Sequence, residues 1–455
     1  MDIAARSASP AISIELREKL TALVGRDHVI PAAASETVSG IQLKLVIEPG
    51  NETELAGVLR LANEAGLSVI PRGGGTKLGW GNPPARADLV LSTARLNRVV
   101  EHPWADLTVT VEAGCTVQTL QEALARHSQR LALDPLWPEK ATVGGVLSTN
   151  DSGALRLRFG SLRDLILGVT IALPDGTLAR SGGRVVKNVA GYDLQKLVTG
   201  ALGTLGFITQ AVFRIHPLPH NTRSFSFSVS GVEEAQSLIL SIQDAKLAHT
   251  ALQARFAGDG PPNIDILFEG TEAGLDAQAK QFRVLCKPAE ISEASPTVWA
   301  ARQGLWSAPN SVGSSVAQGA VTQGYLEPGA RDSSGAFSFA IAKISILPAS
   351  IARTMELVSR DARENQVGWK GLMYGTGIGW LRLEGKPSSL RATLQTLRKQ
   401  LERAESSLVA VSFPAKMPAF DAWGAPGDSL PLMKAIKHQL DPTNTLNPGR
   451  FLSGI

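Results

Sequence analysis

The sequence is poor in the residues that build metal centres and covalent cross-links. It contains 2 cysteines in 455 residues, Cys115 and Cys286, far apart in the chain. Two thiols cannot ligate an iron–sulfur cluster or a Cys-only zinc site. They read as two buried, reduced thiols rather than a disulfide. Histidine is also sparse: the 7 residues, at positions 28, 102, 127, 216, 220, 249 and 438, form no short-spaced cluster, so no metal site is expected. Charge of one sign is missing as well. The formal net charge is +4, spread without long runs, too mild and scattered to argue for nucleic acid, although the pI near 9.1 leaves room for a weak anionic partner. Long apolar runs are absent: "LVTGALGTLGFITQAVF" (197–213) is broken by glycines and a glutamine, and "GLWSAPNSVGSSVAQGAVTQGYL" (304–326) reads as a polar loop. The amino end, "MDIAARSASPAIS", has no basic region followed by an apolar core. The expectation is a cytoplasmic protein without direct membrane insertion, peripheral to the inner membrane only through partners.

What the chain does have is glycine, 44 in all, and an ordinary globular balance of 44% apolar and 19% charged residues. Five of those glycines fall in "PRGGGTKLGWG" (71–81), directly behind an apolar strand. Glycine costs backbone entropy, so a cluster of it marks a tight turn or a close approach of another backbone or a ligand to the main chain. The spacing is neither a P-loop nor the G-x-G-x-x-G fingerprint. Two further glycine-rich stretches follow, "ATVGGVLSTNDSGALRLRFGSLRDLILG" (141–168) and "GGRVVKNVAGYDLQKLVTGALGTLGFIT" (182–209). Together they offer many unhindered N–H groups and short hydroxyls and few acids, a composition suited to a pyrophosphate.

The periodicities predict an α+β chain. A strand "KLVIEP" precedes a helix over "NETELAGVLRLANEAG", opened by an Asn cap, with Leu55, Val58, Leu59 and Ala62 on one face and Gly66 at its end. "TVQTLQEALARHS" is a second helix, and "ILGVTIALPDGTLARSGG" a hairpin about Pro-Asp-Gly. From about residue 222 a different pattern begins, two successive β-α-β-β-α units each with a closing strand, joined by a loop over 300–336. Each half has the ferredoxin-like order, and the two could pair into one antiparallel sheet covered by helices. The expected domains are 38–218 with an extension over 1–37, 222–415, and a terminal segment 428–455 that returns to the first domain.

The order P-R-G-G-G-T, A-T-V-G-G, K-N-V-A-G-Y-D-L…G-T-L-G-F-I-T and L-D-P…L-N-P-G-R resembles the vanillyl-alcohol-oxidase superfamily of flavoproteins. "PEKATVGG" (138–145) with "GGRVVKNVAGYDL" (182–194) is similar, more narrowly, to the family of FAD-binding subunits of bacterial glycolate oxidases. The resemblance implies a two-subdomain PCMH-type FAD-binding domain and an antiparallel-sheet cap. It implies FAD held by Arg72, Gly73, Gly74, Gly75 and Thr76 on one side and by Thr142, Val143, Gly144 and Gly145 on the other. Asn150, Ser152 and Gly153 would extend the second wall, and Ile208 would meet the adenosine end. Many relatives carry a flavin-linked His where this chain has Thr76, and some carry a linking Cys in the segment matching 135–150, where this chain has none; FAD is therefore expected to be non-covalent. Relatives often have an acid where Leu202 stands.

Oxidation of a small 2-hydroxy acid needs a cation for the carboxylate, a base for the hydroxyl proton and a hydride acceptor. The metal-ligating cluster of the hydroxy-acid dehydrogenases of this superfamily has no counterpart: "YGTGIGWLRLEG" (374–385) keeps the glycines and none of the ligands. Candidates for a direct role are Lys343, Lys370, Arg382 and Tyr192, with Lys187, Asn188 and Asp193 beside the last. Two readings follow. One is the FAD-carrying subunit of a glycolate oxidase-type complex, with a sister FAD-linked subunit, an iron–sulfur subunit and a small 2-hydroxy acid as partners. The other is a stand-alone D-2-hydroxy-acid dehydrogenase. The complex would need an apolar interface, for which the tryptophan-bearing stretches "LGWGNPP" and "RQGLWSAPN" are expected to be exposed.

Overall fold

The computed structural model describes residues 12–33, 35–183, 192–287, 290–307, 338–414, 417 and 420–455. The chain divides into two compact units. The first takes the chain up to Ser152, then Ser161–Leu218 and Ala425–Ile455; the second takes Gly153–Gly160 and Pro219–Gly424.

The first unit contains two main sheets. One has four strands in the spatial order Val29–Pro31, Leu45–Ile47, Leu89–Ser92 and Val69–Arg72. Its last two pairings are parallel, as a strand–helix–strand crossover requires. That crossover is the helix Glu52–Glu64, and the sequence shows why it starts where it does. Asn51 Oδ1 accepts the Glu54 N–H at 2.9 Å, and the Glu54 carboxylate accepts the Gly50 N–H at 2.7 Å. Leu55, Val58, Leu59 and Ala62 are buried against the sheet, and Gly66, at φ +66°, ends the turn. The other sheet has five antiparallel strands in the order Leu178–Gly182, Ile166–Ala172, Phe207–Arg214, Thr108–Glu112 and Val99–Glu101. The predicted hairpin is its first pair, closed at Gly176 with φ +88° and by Asp175 Oδ1 accepting the Thr177 N–H at 2.8 Å.

The second unit is one eight-stranded sheet with helices on one face. Its order is Ser292–Glu293, Asn221–Ser228, Asn263–Gly270, His249–Ala257, Gly368–Tyr374, Ile378–Gly385, Ser338–Ser345 and Ser407–Ser412. The two halves have the same β-α-β-β-α-β order and meet at an antiparallel seam where Gln253 faces Tyr374 and Ala254 faces Met373. Alternation along each strand sends Phe225, Ile266, Ala254, Leu381 and Ala342 to the helix-covered core. There Phe225, Phe268 and Phe282 pack with ring centroids 5.7 to 6.2 Å apart, within the range that favours tilted aromatic pairs. The other face is mixed: it carries buried Ile341, Leu372 and Trp380 beside a polar cluster. Asp265, fully buried, accepts from Arg255 Nε at 2.7 Å, Gln253 Nε2 at 2.8 Å and Ser226 Oγ at 2.8 Å.

Among the described residues, no helix is long and apolar enough to cross a membrane. The segment 197–213 divides into the end of the helix Leu194–Val198, a turn, and the strand Phe207–Arg214.

Candidate functional site

A cleft in the first unit gathers several segments of the chain, four of which supply most of its lining. The strand Val69–Arg72 delivers the loop from Gly73 to Leu78. Thr142 caps the helix Val143–Thr149. The turn before the strand Phe207–Arg214 supplies Leu202, Gly203, Gly206 and Phe207, and the carboxy-terminal segment supplies Asn447 and Arg450. The cleft contains about 710 Å³ of empty space, part of it open to solvent.

The glycine loop has a more specific reason than ligand approach alone. A Cβ on Gly73 would lie 1.9 Å from Thr142 Oγ1, and one on Gly74 would lie 1.8 Å from the Lys140 carbonyl oxygen. These two glycines let the loop press against the segment 140–142, so their absent side chains face protein. Gly75 is set by conformation instead, at φ +74°. The loop can still serve a ligand through its amides. Those of Gly73, Gly74 and Thr76 meet no acceptor among the described residues. The second loop behaves differently. The Val143 N–H is given to Cys115 O at 2.9 Å and the Gly144 N–H to Ala113 O at 2.8 Å. Its amides therefore tie the helix to the sheet, and the groups it presents to the cleft are Ser148 and the Thr149 and Thr142 side chains.

Electrostatically the cleft suits an anion. Among the described residues lining it there is no Asp or Glu, whereas Arg72, Lys77 and Arg450 all contribute. Arg72 Nη1 is 2.9 Å from Glu36 Oε1. Lys77 Nζ is 3.2 Å from Asp151 Oδ2 with both side chains buried, and it lies 5.8 and 5.6 Å from the Trp80 and Trp137 ring centroids. Arg450 donates to the carbonyls of Leu78 and Trp80 at 2.5 Å each, and burial pushes its guanidinium down to about 10.

The sequence-based site residues separate into those brought together and those not. Arg72, Gly73, Gly74, Gly75, Thr76, Thr142, Gly144, Gly145 and Ile208 all line the cleft. Val143 does not: its side chain is in the core. Asn150, Ser152 and Gly153 also lie outside the lining, and Gly153 falls in the second unit. Asn150 ends the short helix at φ 47° rather than forming a wall. Leu202, Gly203, Asn447 and Arg450 were missed. The signals were available in "GALGTLG" and "LNPGR", but nothing in a linear pattern says that these two stretches meet.

The candidates for catalysis fare less well. Arg382 is 2% exposed and committed: Nε bonds Glu384 Oε1 and Nη1 bonds Leu305 O, both at 2.5 Å, with the guanidinium 4.1 Å from the Phe339 ring centroid. This corrects its reading as an available carboxylate clamp. Lys343 stands 5.6 Å from the Trp380 ring centroid, and Lys370 is exposed on a strand. Tyr192 is 95% exposed, so it is not a packed tyrosine, and its carbonyl accepts from Ser181 Oγ. Lys187 and Asn188 lie outside the described residues. Asp193 bonds Lys196 at 2.9 Å across one helical turn. The expectation of exposed tryptophans is also corrected, because Trp80 and Trp306 are buried; the rest of the 304–326 loop from residue 308 is outside the described residues. Cys115 and Cys286 are both buried free thiols, which burial pushes up to about 11 and about 12.

Comparison with known proteins agrees with this geometry. Residues 43–182 match the family model described as an FAD binding domain. The fold is that of p-cresol methylhydroxylase, to which it aligns with a TM-score of 0.74 at 14% identity over 96% of both chains. Residues 43–182 are thus an FAD-binding domain, and FAD is its cofactor. Among curated relatives, a glycolate oxidase subunit GlcD of Bacillus subtilis is 30% identical over 235 residues, 52% of this chain and 49% of that one, so the match spans about half of the relative. A D-2-hydroxyglutarate dehydrogenase of Xanthomonas citri is 27% identical over 422 residues, covering 89% of this chain and 88% of that one. The residues present fit the cofactor: among the described residues, the Gly73, Gly74 and Thr76 amides are unbonded, hydroxyls stand on the opposite wall, no carboxylate lines the cleft, and the buried Asn447 Oδ1 has no partner.

Proposed function

We propose that this chain is an FAD-dependent oxidoreductase for a small 2-hydroxy acid, glycolate in the first instance. In this reading it works as the FAD-carrying subunit of a glycolate oxidase-type assembly whose iron–sulfur subunit takes the electrons onward. The observation that carries the reading is the cleft itself, which combines free loop amides with an acid-free lining. Loop amides and Thr142 hold the diphosphate. FAD, when bound, supplies the hydride acceptor. Attachment is non-covalent, because Thr76 offers a hydroxyl rather than an imidazole and no cysteine lies in 135–150.

The need for a partner is supported by the second unit. Its Arg382, one of the three cations read as candidates for the substrate carboxylate, is already neutralised by Glu384. A sister subunit would then complete the substrate site. The second reading is a stand-alone D-2-hydroxy-acid dehydrogenase, favoured by the match along nearly the whole length of the D-2-hydroxyglutarate dehydrogenase.

One experiment separates them. The chain is purified alone, its visible spectrum is recorded, and it is denatured to test for release of free FAD. Glycolate and D-lactate are then added anaerobically. A stable yellow spectrum supports the subunit reading, and bleaching supports the dehydrogenase. A colourless protein that cannot be reconstituted with FAD would overturn both.

A further inference from the structure

The turn between Gly200 and Gly206 is bent by three positive φ values in four residues: 86° at Gly200, 52° at Leu202 and 68° at Gly203. Gly can adopt this region freely, whereas a leucine there costs about 1 kcal/mol or more and needs its surroundings to hold it. Leu202 is held from both sides. Its N–H donates to the Ser148 carbonyl at 2.8 Å, and its carbonyl accepts from Asn447 Nδ2 at 2.5 Å. Asn447 is itself fixed, with its N–H on the Val69 carbonyl at 3.0 Å and its neighbour Leu446 bridged to Val69. A second clamp follows two residues on, where the buried Lys437 ammonium takes the Thr204 carbonyl at 2.8 Å.

The Leu202 carbonyl and the Gly203 N–H belong to one peptide plane. In a trans peptide these two groups point in opposite directions. Drawing the carbonyl onto Asn447 therefore turns the Gly203 N–H away from Asn447. That N–H meets no acceptor among the described residues, and Gly203 lines the cleft. We propose that Asn447 is a positioning residue for the cofactor. By capturing the Leu202 carbonyl it aims the Gly203 N–H into the cleft, where it donates to an acceptor oxygen of the bound flavin nucleotide. The inference rests on the assignment of this cleft to FAD. It also accounts for a leucine being kept in a left-handed conformation beside the ligand: the peptide plane, not the side chain, is what the site uses.

The test compares wild type with Asn447→Gly and Asn447→Asp in the full chain. Glycine tolerates φ 44° and keeps the backbone bond to Val69; aspartate keeps the size of the side chain but cannot donate to Leu202. Apo protein is titrated with FAD, ADP and riboflavin, and melting temperatures are taken with and without FAD. Both variants are expected to weaken FAD roughly tenfold, the loss of about one oriented hydrogen bond, and to shrink the FAD-induced rise in melting temperature. A loss shared with ADP puts the acceptor on the diphosphate; a loss shared with riboflavin puts it on the ring carbonyls. Should both variants bind FAD within twofold of wild type, with apo and loaded forms destabilised equally, Asn447 is only structural and the inference fails. If Asn447→Gly does not fold, Asn447→Ala takes its place, because Asn447→Asp alone also sets a carboxylate against the diphosphate. Failure of wild type to bind FAD would instead overturn the assignment of the cleft.

Discussion

Lys77 and Asp151 form an ion pair of 3.2 Å in which both side chains are buried, Lys77 on the wall of the cofactor cleft and Asp151 behind it. Asp151 also accepts the Leu136 N–H at 2.9 Å, and Lys77 reaches the Leu136 carbonyl at 3.4 Å. The pair thus joins the glycine loop to the segment around residue 136.

Removing one partner strands the other charge in a low-dielectric interior. Lys77→Met is expected to cost about 3–5 kcal/mol. Lys77→Met with Asp151→Asn should recover more than half of it, because a neutral amide still accepts from Leu136. Denaturant unfolding of the three proteins checks this, and equal losses in single and double variants would contradict it.

Two adjacent glycines of the loop, Gly74 and Gly75, should respond unequally. Gly74→Ala drives a methyl to 1.8 Å from the Lys140 carbonyl, a backbone atom that cannot swing aside. It is expected to destabilise the first unit by about 3 kcal/mol, the upper end for overpacking, and to lose FAD. Gly75→Ala meets only Leu78, at 3.9 Å, and pays for φ +74° alone, about 1 kcal/mol. Flavin content per chain and apo melting temperature distinguish the two.

Both thiols should be silent. With burial holding Cys115 near 11 and Cys286 near 12, on the order of one Cys115 in a thousand is ionised at pH 8. A disulfide-exchange reagent at that pH is expected to modify neither thiol until denaturant is added, and then to find 2 per chain.

Acid should weaken the second unit through His249. Its imidazole is held below the usual value near 6.5, first by burial, against a weaker raising effect of the Leu247 carbonyl at 3.0 Å and with Arg158 adding to the lowering. A depressed histidine binds its proton more readily in the unfolded chain, so its contribution is present above pH 6.5 and is lost as the pH falls below that value. His249→Gln should flatten the fall in melting temperature between pH 7 and pH 5, measured on the apo chain.

Much of the protein was legible along the chain. Regular elements depend on signals a few residues apart, such as the Asn51 cap before Leu55 and Val58, or Pro-Asp-Gly between two apolar runs. The repeated β-α-β-β-α-β order was visible for the same reason, and so was the clustering of glycine and hydroxyl residues that the cofactor cleft draws on. Only the tertiary structure decided which segments meet. It assigned Gly73 and Gly74 to contact with residues 140–142, turned the Val143 and Gly144 amides inward, and committed Arg382 to Glu384. It also brought Asn447 onto Leu202 across a separation that no periodicity spans. Local pattern fixes backbone conformation because its causes are local; a binding wall is built from long-range contacts, and those are settled by packing.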